Sequence, residues 1–206
     1  MSVRIKICGI TQYEDARIAA SLGADALGFI FYPKSPRYIS PVAAKEIITK
    51  LPPLISKVGV FVNEPAETIM AITQESGIDT IQLHGTEPPE FCKYFPLPVI
   101  KAFSIDSNAD ITLLEKYDVS GFLLDTWDKT LRGGTGKTFD WAIAEKTCRK
   151  YPNIILAGGL GPTNIAEALE NVMPYAVDVN SGVEIKPGIK NPKKLKDTIG
   201  IVKNWK

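Results

Sequence analysis

The sequence predicts an α/β fold, a closed (β/α)8 or TIM barrel, with residues 1–206 forming a single domain. Three observations predict it. Eight short apolar runs recur at nearly regular intervals. Stretches with helical patterning separate them. The chemically unusual residues gather at the carboxyl ends of the apolar runs. Strict alternation favours a parallel sheet with right-handed crossovers, and eight units favour closure. A doubly wound open sheet is the main rival.

The apolar runs are "VRIKIC" (3–8), "DALGFIF" (25–31), "ISKVGVFV" (55–62), "TIQLH" (80–84), "PVIKAF" (98–103), "GFLLD" (121–125), "NIILAGG" (153–159) and "AVDVN" (176–180). They are short and rich in Val, Ile, Leu or Phe, as strands covered on both faces should be. In "TQYEDARIAASLG", Thr11 is the expected N-cap and Gly23 lies just past the helix end. In "SPVAAKEIITKL", Pro41 takes the first helical position behind Ser40. "EPAETIMAITQESG" repeats the scheme with Pro65 and Gly77. Segments 88–95, 107–117 and 140–150 carry weaker helical patterns. "GPTNIAEALENV" and "NPKKLKDTIGIVKNW" complete the set.

Composition narrows the function. The 206 residues are enough to bury a core without disulfide or metal staples. A formal net charge of +1 gives no electrostatic footprint for nucleic acid. No apolar run approaches the roughly 20 residues that span a bilayer. Cys8, Cys92 and Cys148 are widely spaced and form neither a CxxC pair nor a zinc pattern, so free thiols in a reducing cytoplasm are expected. His84 is the only histidine. A histidine-rich metal site is therefore not expected.

The barrel frame places an active site at the carboxyl ends of the strands. Cys8 ends the first strand, and Gly9 gives the chain room to turn. Cys8 reads either as a residue facing a ligand cavity or as a small buried hydrophobe. Asp125 closes the sixth strand, as a general acid or as a brace for the next loop. Arg37, in "FYPKSPRYIS", offers a bidentate fork to a ligand carboxylate, or is an ordinary loop arginine. Asp178 alternates with Val177 and Val179, so it is expected inside the barrel, binding ligand hydroxyls or pairing with a lysine such as Lys6. Asn63 and His84 also fall at the mouth, and His84 is either a ligand neighbour or a brace of the fourth loop.

Phosphate binding is the firmer signal. "LAGGLGPTN" places Gly158 and Gly159 after the seventh strand, just before a helix. "VNSGVEIKPG" places Ser181 and Gly182 after the eighth, where a short extra helix is common in barrels. Backbone N–H groups in such loops make an anion site; tight turns alone would also use these glycines. "RGGTGK" (132–137), with Gly134 and Gly136, is expected to close over the same ligand, and it lacks P-loop spacing.

Together "KICGIT", "FYPKSPRYI", "VGVFVN", "IQLHG", "FLLDT", "GGTGKTFDW", "LAGGLGPTNI" and "DVNSGVEIKPGIKN" resemble the phosphoribosylanthranilate isomerase family, in order and nearly end to end. The resemblance implies a (β/α)8 barrel and a cofactor-free Amadori rearrangement in tryptophan biosynthesis. It implies Cys8 as general base, Asp125 as general acid, Arg37 at the anthranilate end, and Gly158, Gly159, Ser181 and Gly182 at the phosphate. Lys6 lies two residues before Cys8, hence on the same strand face, and is expected to favour the thiolate. The expected partner is a small phosphorylated substrate, with neither nucleic acid nor membrane, and the expected state is a monomer. A non-catalytic phosphate-binding barrel or a related sugar-phosphate isomerase is the alternative.

Overall fold

The computed structural model describes residues 2–105, 110–125 and 141–205. Eight parallel strands close into a barrel in sequence order: β1 (Arg4–Ile7), β2 (Ala26–Ile30), β3 (Ser56–Phe61), β4 (Thr80–Leu83), β5 (Val99–Ser104), β6 (Gly121–Asp125), β7 (Ile154–Ala157) and β8 (Ala176–Val179). β1 pairs with β8, with Lys6 beside Asp178 in register, and this closes the ring. The open-sheet rival is thereby excluded.

Helices α1 (Tyr13–Ser21), α2 (Pro41–Ile48), α3 (Ala66–Ser76), α4 (Pro89–Cys92), α5 (Trp141–Lys150), α6 (Ile165–Val172) and α7 (Pro192–Asn204) surround the barrel. A 3-10 turn, Ile111–Lys116, takes the helical place between β5 and β6. Within the weak pattern at 107–117, residues 111–116 thus form the tighter 3-10 helix. Another 3-10 turn, Ser181–Val183, follows β8 and leads into the hairpin β9 (Glu184–Lys186) and β10 (Ile189–Lys190).

Helix boundaries follow local chemistry. Ser40 caps α2, its hydroxyl accepting from the Ala43 N–H at 3.2 Å. Asn191 caps α7 ahead of Pro192. Gly77 ends α3 in the left-handed conformation that suits glycine. Thr11 does not cap α1. Gln12 holds the N-cap position, while the Thr11 hydroxyl donates to the Gly188 carbonyl in the β9–β10 hairpin at 2.5 Å. A tertiary partner wins over the local one. Pro65 is itself the N-cap residue of α3, one position earlier than expected.

Strand alternation divides the side chains. Ile5, Ile7, Leu27, Phe29, Phe61, Leu83, Leu124, Leu156 and Val177 turn outward into the main core beneath the helices. Ala102, Leu123, Ile155, Ala157 and Ala176 pack together as a separate group inside the barrel. The same alternation carries Lys6, Cys8, Gln82, His84, Asp125 and Asp178 to the inner face. The barrel interior is apolar near its middle and polar at its carboxyl mouth.

Candidate active site

A cavity of about 640 Å³ opens at the carboxyl end of the strands. Cys8, Arg37, Gln82, His84, Asp125, Gly158, Gly159, Asp178, Asn180 and Ser181 all line it. The cavity therefore brings together the described residues singled out from the sequence as candidates, apart from Lys6, Asn63 and Gly182. Asn63 serves the neighbouring loop: its Oδ1 accepts from the Thr86 N–H at 2.7 Å. Cys92 and Cys148 lie on α4 and α5, away from the mouth. Gly134 and Gly136, with the whole of "RGGTGK", fall outside the described residues.

Cys8 is held at the floor. Its N–H donates to Val179 O at 2.9 Å, one step past the last ladder bond of β1. The sulfur occupies the space over Gly28 on β2, where an added Cβ would come within 2.7 Å of Sγ and 3.1 Å of Lys6 Cε. Glycine at 28 makes room for both side chains. Gly9 takes a φ of 74°, and a Cβ there would crowd the Asn180 and Arg37 side chains. The turn after the thiol therefore needs glycine for both conformation and space.

Lys6 and Asp178 form a buried ion pair with Nζ–Oδ2 at 2.8 Å. Asp178 Oδ1 is buried without a hydrogen-bond partner among the described residues, and so offers an acceptor to a ligand. Burial pushes the Cys8 thiol above its ordinary pKa; Lys6, by charge and hydrogen bond, pulls the other way without overturning it. The activation expected from Lys6 is thus present but outweighed by desolvation in the free protein. Two results are expected from the pH dependence of Cys8 alkylation by iodoacetamide, read by peptide mass analysis. The midpoint in wild type lies above that of an ordinary thiol, and Lys6→Met moves it higher still. A downward move in Lys6→Met would contradict this electrostatic assignment.

Asp125 faces His84 across adjoining parts of the mouth, with Oδ2 3.5 Å from Nε2. The other ring nitrogen, Nδ1, meets Gln82 Nε2 at 3.0 Å. Outside the barrel a buried pair braces this loop. Lys101 Nζ lies 2.9 Å from Glu87 Oε2 and donates to the Leu83 and Gly85 carbonyls on either side of His84. Glu87 in turn accepts from the N–H groups of Asn63 and Gly85. His84 therefore lines the cavity from a loop that Lys101 and Glu87 brace.

Arg37 is not free. Its Nε and Nη2 donate to Glu184, at 2.7 Å for the shortest contact. The fork expected to meet a ligand carboxylate is thus turned to the protein's own carboxylate, and Arg37 has only its remaining N–H groups to offer a ligand. Glu184 also receives Lys190 Nζ at 3.0 Å and the Gly188 N–H at 3.1 Å. Lys190 continues to Asn180 Oδ1 at 2.9 Å, back at the cavity. This buried chain ties loop two, loop eight and the hairpin together. Glu184 and Lys190 had no assigned role in the sequence reading. The visible signal was a lone acidic residue in "NSGVE", directly after a strand end.

Loops seven and eight pack backbone to backbone. Gly158 and Gly159 have φ of 106° and 61°, and a Cβ on Gly159 would meet nothing within 4 Å, so that loop presents open backbone. Asn164 secures it, accepting from the Gly161 N–H and donating to the Gly159 carbonyl. Gly182 sits behind Ser181, where a Cβ would overlap the Leu160 carbonyl. Its absence of a side chain lets the two loops touch. Gly182→Ala is expected to part them, costing about 1–3 kcal/mol of stability and raising KM for a phosphorylated ligand more than it lowers kcat. Thermal unfolding and steady-state kinetics check both effects.

A closed (β/α)8 barrel whose mouth joins a buried thiol, a carboxylate, a histidine and two glycine loops defines the class: a barrel site equipped for acid–base chemistry on a small anionic ligand. The model of the N-(5'-phosphoribosyl)anthranilate (PRA) isomerase family matches residues 5–200. An N-(5'-phosphoribosyl)anthranilate isomerase of Syntrophus aciditrophicus is 48% identical over 98% of this chain and 87% of its own length. One from Geotalea daltonii is 48% identical over 95% of this chain and 94% of its own. The crystal structure of the Thermotoga maritima phosphoribosyl anthranilate isomerase superposes with a TM-score of 0.87 at 42% identity, covering 98% of this chain and 100% of that one. A further structure, 40% identical with a TM-score of 0.85 over 98% of this chain and 100% of that one, is of such an isomerase in complex with reduced 1-(o-carboxyphenylamino)-1-deoxyribulose 5-phosphate. The chain belongs to the phosphoribosylanthranilate isomerase family.

Proposed function

We propose that the chain converts N-(5'-phosphoribosyl)anthranilate to 1-(o-carboxyphenylamino)-1-deoxyribulose 5-phosphate in tryptophan biosynthesis, with Asp125 as general acid and Cys8 as general base. It is an isomerase of the aldose–ketose type. The observation that carries the residue roles is a single cavity, in a chain of this family, lined by Cys8, Asp125 and the glycine loops after β7 and β8.

The reaction needs proton transfers only. Asp125 delivers a proton to the furanose oxygen while the anilino nitrogen lone pair opens the ring to an iminium. The iminium acidifies the C2′ hydrogen, and the Cys8 thiolate removes it. The resulting enolamine takes a proton at C1′ while its 2′-hydroxyl gives one up, and becomes the amino ketone. Two protons leave, from C2′ and the 2′-hydroxyl, and two arrive, at the ring oxygen and C1′, so no external oxidant or reductant enters the balance. Lys6 stands beside the sulfur and favours its charged form, while Asp178 Oδ1 accepts from a ribose hydroxyl. Gly158, Gly159 and Ser181 take the phosphate, with Gly182 setting the loop spacing. Arg37, aligned by Glu184, faces the anthranilate carboxylate.

One domain, a monomeric state and a cytoplasmic location complete the reading. Free thiols support the location. Among the described residues no helix is long and apolar enough to cross a membrane. A Thermotoga maritima relative is described as dimeric, with monomers generated from it, so sedimentation velocity on this chain decides the assembly. The activity itself is tested by generating the labile substrate in situ and following its fluorescence. Rapid decay on adding the folded protein is expected; an unchanged decay would replace the isomerase with a binding barrel.

A further inference from the structure

We infer that Gln82 is a positioning residue for the acid: its amide selects the tautomer of His84 and so aims the Nε2 proton at Asp125. This rests on the reading of Asp125 as general acid.

Gln82 is 1% exposed, on the inner face of β4 two residues before His84. The contact between its Nε2 and His84 Nδ1 is 3.0 Å. A neutral imidazole has one N–H and one lone pair, and the hydrogen bond made at one nitrogen fixes the other. An amide N–H donating to Nδ1 requires the lone pair there. The ring hydrogen is then on Nε2, the nitrogen facing Asp125 Oδ2.

The ring has little other freedom. The His84 N–H donates to Phe61 O at 2.8 Å. Lys101 holds the carbonyls before and after it. With the backbone pinned, Gln82 decides where the proton sits. The consequence falls on the acid. Once Asp125 has given its proton to the ring oxygen, the Nε2–H stabilises the carboxylate left behind. The opposite tautomer would present a lone pair, accept the acid's hydrogen and compete with the substrate for it.

A second observation links Gln82 to ligand. Its Oε1 is buried without a partner among the described residues, and the side chain lines the cavity. A ligand N–H or O–H donating to Oε1 locks the amide in the orientation that places Nε2 on His84. Ligand engagement and proton placement are coupled through one side chain.

His84 is the only histidine, so its two ring nitrogens can be read without assignment ambiguity. The test is a long-range 1H–15N correlation spectrum of the full-length 15N-labelled protein, with and without the reduced product analogue. The expected spectrum has a protonated Nε2 and a lone pair on Nδ1, strengthened by the analogue. In Gln82→Glu, the carboxylate at Nδ1 draws a proton to that nitrogen, and kcat falls about tenfold or more with KM within about twofold. A protonated Nδ1 in wild type would overturn the inference, as would a Gln82→Glu protein with an unchanged ring pattern and unchanged kcat. If Gln82→Glu does not fold, the wild-type spectrum alone decides. Failure of the underlying acid assignment looks different: Asp125→Asn would keep full turnover whatever the tautomer.

Discussion

Cys8→Ala is expected to lower kcat by about a hundredfold to ten-thousandfold, and Asp125→Asn by a comparable factor, because each removes one proton-transfer partner. Neither should weaken binding of the reduced product analogue by more than a few fold. Cys8 sits at the floor with its backbone in the β1–β8 ladder, and Asp125 holds its place in β6 through main-chain pairing. The fold therefore survives loss of either functional group. The double variant should cost less than the product of the single losses, since groups acting in one sequence of proton transfers are not additive. Steady-state kinetics with in situ substrate, together with calorimetric binding of the analogue, separate turnover from binding. Full turnover in Cys8→Ala would move the base elsewhere in the cavity.

The second large effect concerns stability. Glu184→Ala is expected to cost roughly 3–5 kcal/mol, since it strips a buried carboxylate from two cations. For a chain of this size that corresponds to a drop in Tm of roughly 6–20 °C. Lys190 is fully buried and Arg37 mostly so, and neither can recover its partner from water. Burial alone would raise the Glu184 pKa, but the Arg37 hydrogen bonds and Lys190 outweigh it and hold the carboxyl below 4.5. A depressed carboxyl contributes stability that is complete above its unfolded pKa and lost as pH falls through the folded value. The gap between wild type and Glu184→Gln should thus be full at neutral pH and shrink on acidification below about 4.5. KM should rise in the same variant, because Arg37 loses the group that orients it. Thermal scans across pH and a KM comparison test the two halves. A Tm unchanged at neutral pH would remove Glu184 as a structural anchor.

The strands were legible because each is a short apolar run, and all but the fifth lead into something chemically odd. "GFLLD" shows both features, with four residues for the barrel and Asp125 for the mouth. Cys8 followed from its place at the end of β1 and Asp178 from alternation along β8, and Lys6 fell into place as the partner of Asp178. What sequence could not reach were pairings between distant segments. Arg37 looked free because Glu184 lies 147 positions away. Thr11 looked like a cap because Gly188, its true acceptor, is on the far side of the chain. Gly182 read as a phosphate loop residue, yet its packing against Leu160 is visible only once loops seven and eight are side by side. Gln82 was hidden inside "TIQLH", where a polar residue between Ile81 and Leu83 gives no sign that it faces the cavity until the strand is closed into a barrel. The loop after β6, with Gly134 and Gly136, lies outside the described residues.

The most direct test of the account is chemical modification of the native protein. Iodoacetamide is added near the thiol midpoint, and activity and the modification of Cys8, Cys92 and Cys148 are followed together by kinetics and peptide mass analysis. The account predicts that activity falls in one-to-one step with carboxamidomethylation of Cys8, and that the reduced product analogue protects both. Activity that persists after Cys8 is fully modified, or modification of Cys8 undisturbed by saturating analogue, would contradict a thiol base at the floor of the ligand cavity.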